Sequence, residues 1–81
     1  MRGIVRIVRA MEALVVVETE YGEYTVLGLL DDSPIAEGDL VSGPLESRDQ
    51  QRLVNETQGH DMLVYIEDAE LSLEAAEAAL P

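Results

Sequence analysis

Arg2-Gly3-Ile4-Val5-Arg6-Ile7-Val8-Arg9 and, across Ala10-Met11-Glu12, Ala13-Leu14-Val15-Val16-Val17-Glu18-Thr19 decide how this chain folds. Both runs are rich in β-branched residues, which lose side-chain freedom in a helix and pack well on a pleated surface. Neither carries apolar residues at helical spacing, so both read as strands. The Leu-Val-Val-Val run in the second implies burial on both faces.

Outward from these runs the same pattern continues. Gly22-Glu23 fits a two-residue II′ loop, with Gly22 supplying the positive φ, and a third strand follows from Tyr24 to about Leu30. Asp31-Asp32-Ser33-Pro34 breaks it, because proline cannot donate to a ladder and the acidic pair favours turns. A Gly38-Asp39 turn leads into a fourth strand, Leu40 to Leu45, where Gly43 and Pro44 mark a bulge or an edge. Glu46 to Gln51 reads as an exposed polar loop. Leu53 to Thr57 and Met62 to Glu67 complete the strands, joined by a turn at Gln58-Gly59-His60-Asp61. Ser72 then caps a helix over Leu73 to Leu80, with Glu74 placed favourably in its first turn. The expected architecture is mainly β: one domain over 1–81, with a five- to six-stranded barrel over 1–68 and a short C-terminal α-helix over 72–80.

Pairing the strands predicts which faces they bury. If Met11 centres the first hairpin, Val5 faces Val17, Ile7 faces Val15 and Arg2 faces Glu20. The II′ loop then sets Val17 opposite Gly28 and Thr19 opposite Val26. One face carries Val5, Ile7, Val15, Val17 and Val26, a barrel interior. The other carries Ile4, Arg6, Leu14, Val16, Leu27 and Leu29, too apolar to stand in water. The helix is expected to cover it through Leu73, Ala76 and Leu80 at i, i+3 and i+7, with a second copy of the chain as the competing cover. That interaction surface comprises Leu14, Val16, Leu27, Leu29, Leu73 and Leu80.

Composition narrows the functions available. The 81 residues hold 17 acidic side chains against five arginines and no lysine, for a net charge of −12. Such a field repels phosphate backbones and anionic membranes and suits a basic partner. Cysteine is absent, which removes disulfides and thiolate metal sites. Arg2, Arg6 and Arg9 interrupt the apolar N-terminus, so it lacks a signal-peptide core, and no stretch is long enough to span a bilayer. A cytoplasmic location is expected. The Asn55-Glu56-Thr57 sequon carries no weight without a secretory signal.

Three consecutive strands, a short proline-containing crossing, then Ile35-x-x-Gly38-Asp39-x-Val41-x-Gly43 and two further strands resemble a cold-shock-type OB-fold barrel over Met1 to Asp68. The resemblance implies binding of single-stranded RNA or DNA, by bases stacking on aromatic side chains of the second and third strands. The residues available for that role here are Tyr21 and Tyr24, with Arg2 and Arg6 for phosphates. At the matching positions of the second strand stand Leu14, Val16 and Glu18, and the alternative for the arginines is cross-strand pairing, Arg2 with Glu20 and Arg6 with Glu18.

Other chemistry-bearing residues lack the spacing that reactions need. His60 beside Asp61 has no nucleophile in a triad arrangement. Asp31-Asp32 and Glu67-Asp68-Glu70 offer oxygen ligands but not the spacing of a calcium loop. Asn55-Glu56-Thr57-Gln58-Gly59 ends its strand with unusual polarity, as a recognition loop or as a turn bonded to its own backbone. The reading is therefore a non-catalytic interaction module, with no cofactor and no metal. It acts through a protein partner or self-association, with single-stranded nucleic acid as the alternative ligand.

Overall fold

A computed structural model describes residues Met1–Pro81, and its six strands form a closed barrel. The strands are β1 (Arg2–Arg9), β2 (Leu14–Thr19), β3 (Tyr24–Leu29), β4 (Leu40–Ser42), β5 (Asp49–Asn55) and β6 (His60–Leu71), followed by helix α1 (Leu73–Ala78). Two three-stranded meanders, β1-β2-β3 and β4-β5-β6, join through β3–β6 and β1–β4, and every pairing is antiparallel. This closed barrel is consistent with an OB-like one.

Several boundaries differ from the sequence expectation: β4 ends at Ser42 rather than Leu45, α1 at Ala78 rather than Leu80, and β5 and β6 are longer than expected. β5 begins at Asp49, inside the stretch expected to be a loop. Only Leu53 and Asn55 of this strand are buried, so its first half is a polar strand facing water, with no hydrophobic alternation to betray it. β6 runs past Glu67 to Leu71, because Asp68, Ala69 and Glu70 continue along β3 through irregular register, with Glu70 at φ 59°.

Register also differs, and this reassigns the faces. Val5 does pair with Val17, but a bulge follows, so Ile7 pairs with Val16 and Val8 with Val15. The next hairpin is not a II′ loop. The Gly22 N–H donates to the Thr19 carbonyl at 2.9 Å and the Thr19 N–H to the Glu23 carbonyl at 2.7 Å, with Gly22 at φ 77° closing the longer loop. Val17 therefore faces Thr25 and Val16 faces Val26. An odd slip exchanges the two faces of a strand. Leu27 and Leu29 turn into the barrel, where Leu27 is fully buried, and Val26 turns outward.

The interior is filled by Val5, Val15, Val17, Leu27, Val41, Leu45, Leu53, Met62, Val64 and Ile66. Outside it, Val16 and Val26 form a second cluster with Ala76 of α1, flanked by Ile7, Tyr24, Leu71 and Leu80. The helix thus does cover an apolar outer face through Ala76 and Leu80. Leu73 remains exposed, and the residues beneath are Val16 and Val26 rather than Leu27 and Leu29. Ser72 caps α1 as its sequence implies, its hydroxyl accepting from the Ala75 N–H at 3.1 Å.

Candidate functional site

Where β1 passes beyond the end of β4, the barrel wall opens into a cleft of about 480 Å³. Val8 from β1, Leu29 from β3 and Ile35 from the β3–β4 crossover pack against the barrel core and line this cleft. Ala10 and Ala13 of the β1–β2 turn and Leu30 add to the apolar lining, while Asp31, Asp32 and Ser33 supply polar groups. Met11, at the tip of the same turn, is 95% exposed, and Leu30 is 49% exposed. The result is an apolar depression with carboxylates beside it.

The crossover is held in place by Asp31. Its carboxylate accepts the Leu63 N–H at 2.9 Å and the Ser33 N–H at 3.0 Å, and the Ser33 hydroxyl donates to the Asp61 carbonyl at 3.2 Å. The bonds from Leu63 and Ser33 hold the Asp31 carboxyl below the usual aspartate range, so it stays ionised beside the cleft. Asp32 is exposed.

A second polar cluster lies at the β4–β5 side. Asp39 is nearly buried and accepts from the Asn55 amide at 2.8 Å, the Gln58 amide at 2.7 Å and the Ala36 N–H at 3.0 Å. The Asn55 carbonyl oxygen accepts the Gln58 N–H at 3.0 Å, and the Thr57 hydroxyl accepts the Leu40 N–H at 2.8 Å. These bonds answer the question the polar sequence 55–59 poses: its side chains are spent on the local backbone and on Asp39. The amide of Asn55, above all, lowers the Asp39 pKa against an opposing desolvation. His60 starts β6 nearby, with Nε2 buried and without a hydrogen-bond partner. No three acidic or histidine side chains converge on a point that would hold a metal ion.

Arg2 and Arg6 of the nucleic-acid alternative line one depression together with Glu18 and Glu20, and the tyrosines do not join them. Arg2 pairs with Glu56 at 2.8 Å, while its backbone N–H donates to Glu20, and Arg6 pairs with Glu18 at 2.9 Å. Tyr21 stands 70% exposed in the β2–β3 loop, whereas Tyr24 packs against the cluster beneath the helix. Arg48 pairs with Asp68, and Tyr65 donates to Asp49 at 3.1 Å. Of the expected interaction surface, Val16 lies under α1 and Leu14 is half-buried on the outer side. The cleft itself escaped the sequence reading. Its one local signal was exposed apolar residues, Met11 and Leu30, flanking turns that bring Ala10 and Asp31 together.

No helix is long and apolar enough to cross a membrane. No protein-family model matches the chain, and neither curated proteins nor solved structures show one similar to it.

Proposed function

We propose that this domain is a non-catalytic binding module that engages a basic protein partner. The observation that carries the reading is the cleft, with its apolar lining from Val8, Leu29 and Ile35 and the carboxylates of Asp31 and Asp32 beside it. A net charge of −12 adds long-range attraction for a cationic partner and repulsion between copies of the chain. A heterologous partner therefore fits better than self-association, and the cytoplasmic compartment belongs to the same proposal. Selection of a displayed random-peptide library on the immobilised chain tests it. Enrichment of sequences combining basic and apolar residues, lost when Ala10→Trp fills the cleft, is the expected result. Failure to enrich any family of sequences removes the reading.

The second reading is the cold-shock-type one, a diverged barrel that binds single-stranded RNA or DNA. Its support is the closed antiparallel barrel. Against it stand the carboxylate partners of Arg2 and Arg6 and the position of Tyr24 beside the helix. Anisotropy of labelled oligonucleotides at low salt decides it, because electrostatic phosphate binding is strongest there. Absence of binding under those conditions ends the reading.

A further inference from the structure

One side of β1 is only partly covered. β4 pairs with it at Arg2, Gly3 and Ile4, and bonds between Val5 and the Gly38-Asp39 backbone extend the contact by one residue. From there to Arg9 the strand ladder has β2 as its only partner. The backbone of Arg6–Arg9 takes part in none of the hydrogen bonds made outside the ladders. On the side away from β2 this stretch therefore presents a strand edge whose outward N–H and C=O groups lack a strand partner, the situation that invites another chain to pair.

The free edge and the cleft are parts of one place. Val8 comes from the end of β1 and Ala10 from the turn that follows it, and Leu30, Asp31, Asp32, Ser33 and Ile35 come from the crossover that leads into β4. Arg6 is committed to Glu18 on the opposite neighbour. Arg9 forms no ion pair, and Asp31 and Asp32 line the cleft.

We infer that an extended segment of a partner protein, apolar at alternate positions and basic between them, adds as a strand to Arg6–Arg9 and seats its apolar side chains in the cleft. The inference rests on the protein-binding reading above and specifies its mode. Main-chain bonds to the free edge supply affinity, and the cleft selects side chains. Alternation is required because successive side chains of a strand point to opposite faces. Basic residues suit the other positions because the chain carries a net charge of −12 and Asp31 and Asp32 stand beside the cleft.

The probe is a short, capped, fluorescein-labelled peptide of alternating valine and lysine, titrated into the full chain at low salt. Saturable binding is expected, with amide chemical-shift changes concentrated at Arg6–Arg9, Ala10 and Asp31–Ser33. Methylating alternate peptide nitrogens keeps charge and side chains but deletes the ladder donors, and weakens binding about tenfold or more. Ala10→Trp weakens it comparably while the amide spectrum of β4, β5 and β6 stays in place. Equal binding by the methylated peptide, or shifts confined to another face, overturns strand addition and leaves the protein-binding reading standing. Equally tight binding of a valine–glutamate peptide overturns the choice of a basic partner. Absence of saturable binding overturns the inference, and the library selection then decides the broader reading separately.

Discussion

Two residues set close tolerances inside this barrel. Gly3 sits tight against its neighbours: a Cβ there would lie 2.5 Å from Val17 Cγ1 and 2.9 Å from the Glu18 carbonyl oxygen. The second contact is backbone, so a strand must move. Gly3→Ala is expected to cost about 1–3 kcal/mol in urea unfolding, as overpacking does; a neutral result would show that β1 shifts freely. Asn55 is the other. It is fully buried, donates to Asp39 and accepts from Gln58, so Asn55→Ala takes a donor from the nearly buried Asp39 carboxylate and an acceptor from the Gln58 N–H, and should cost about 1–3 kcal/mol. It also alters the pH profile. Asp39 is held below the ordinary aspartate value, so in acid the unfolded chain binds the proton first and stability rises with pH. That contribution is complete above pH about 4 and is lost as pH falls through the lowered folded value. Because Asn55 is the largest cause, Asn55→Ala should flatten the acid limb. Parallel limbs for variant and parent would refute this account.

Among the elements, α1 carries the clearest energetic role despite its short length. A helix of six residues would not persist alone, and Ala76 is the residue it buries fully, over Val16 and Val26. Ending the chain after Leu71, where β6 stops, should cost about 2–4 kcal/mol from the apolar area returned to water. It should also make sedimentation concentration-dependent through the uncovered face; a truncated chain that stays monomeric and equally stable would deny the helix its covering role. The sequence made this element legible through Ser72 and the apolar Ala76 and Leu80. It made β1, β2 and β3 legible through their β-branched runs. It misplaced the inner and outer faces of β3 because register depends on loop length and on bulges. Nothing in Val5-Arg6-Ile7 announces the extra residue, and Gly22 suits two different loops equally well. The cleft was hidden for a related reason, since it arises where β4 begins at Leu40 opposite Ile4 and leaves Arg6–Arg9 of β1 without a strand on that side. A free strand edge is a property of pairing, not of composition.

At the scale of the whole molecule, charge works against compactness. Three of the five arginines form ion pairs, all exposed to solvent, and such pairs contribute little each. The remaining acidic side chains share the surface of a body only 29 × 27 × 23 Å across, so most lie within the reach of one another's fields at low salt. Their repulsion raises the folded state relative to the more expanded unfolded chain. Screening lengths fall from about 30 Å at 0.01 M salt to about 10 Å at 0.1 M, and the repulsion weakens accordingly. Tm should therefore climb by several degrees over that range of sodium chloride, about 1 kcal/mol corresponding to about 4–8 °C for a domain of this size. The exposed ion pairs weaken over the same range and pull the other way. A fall in Tm would mean that Arg2–Glu56, Arg6–Glu18 and Arg48–Asp68 outweigh the net charge. A rise would also fit the proposed basic partner, whose binding relieves the same repulsion and should weaken as salt screens it.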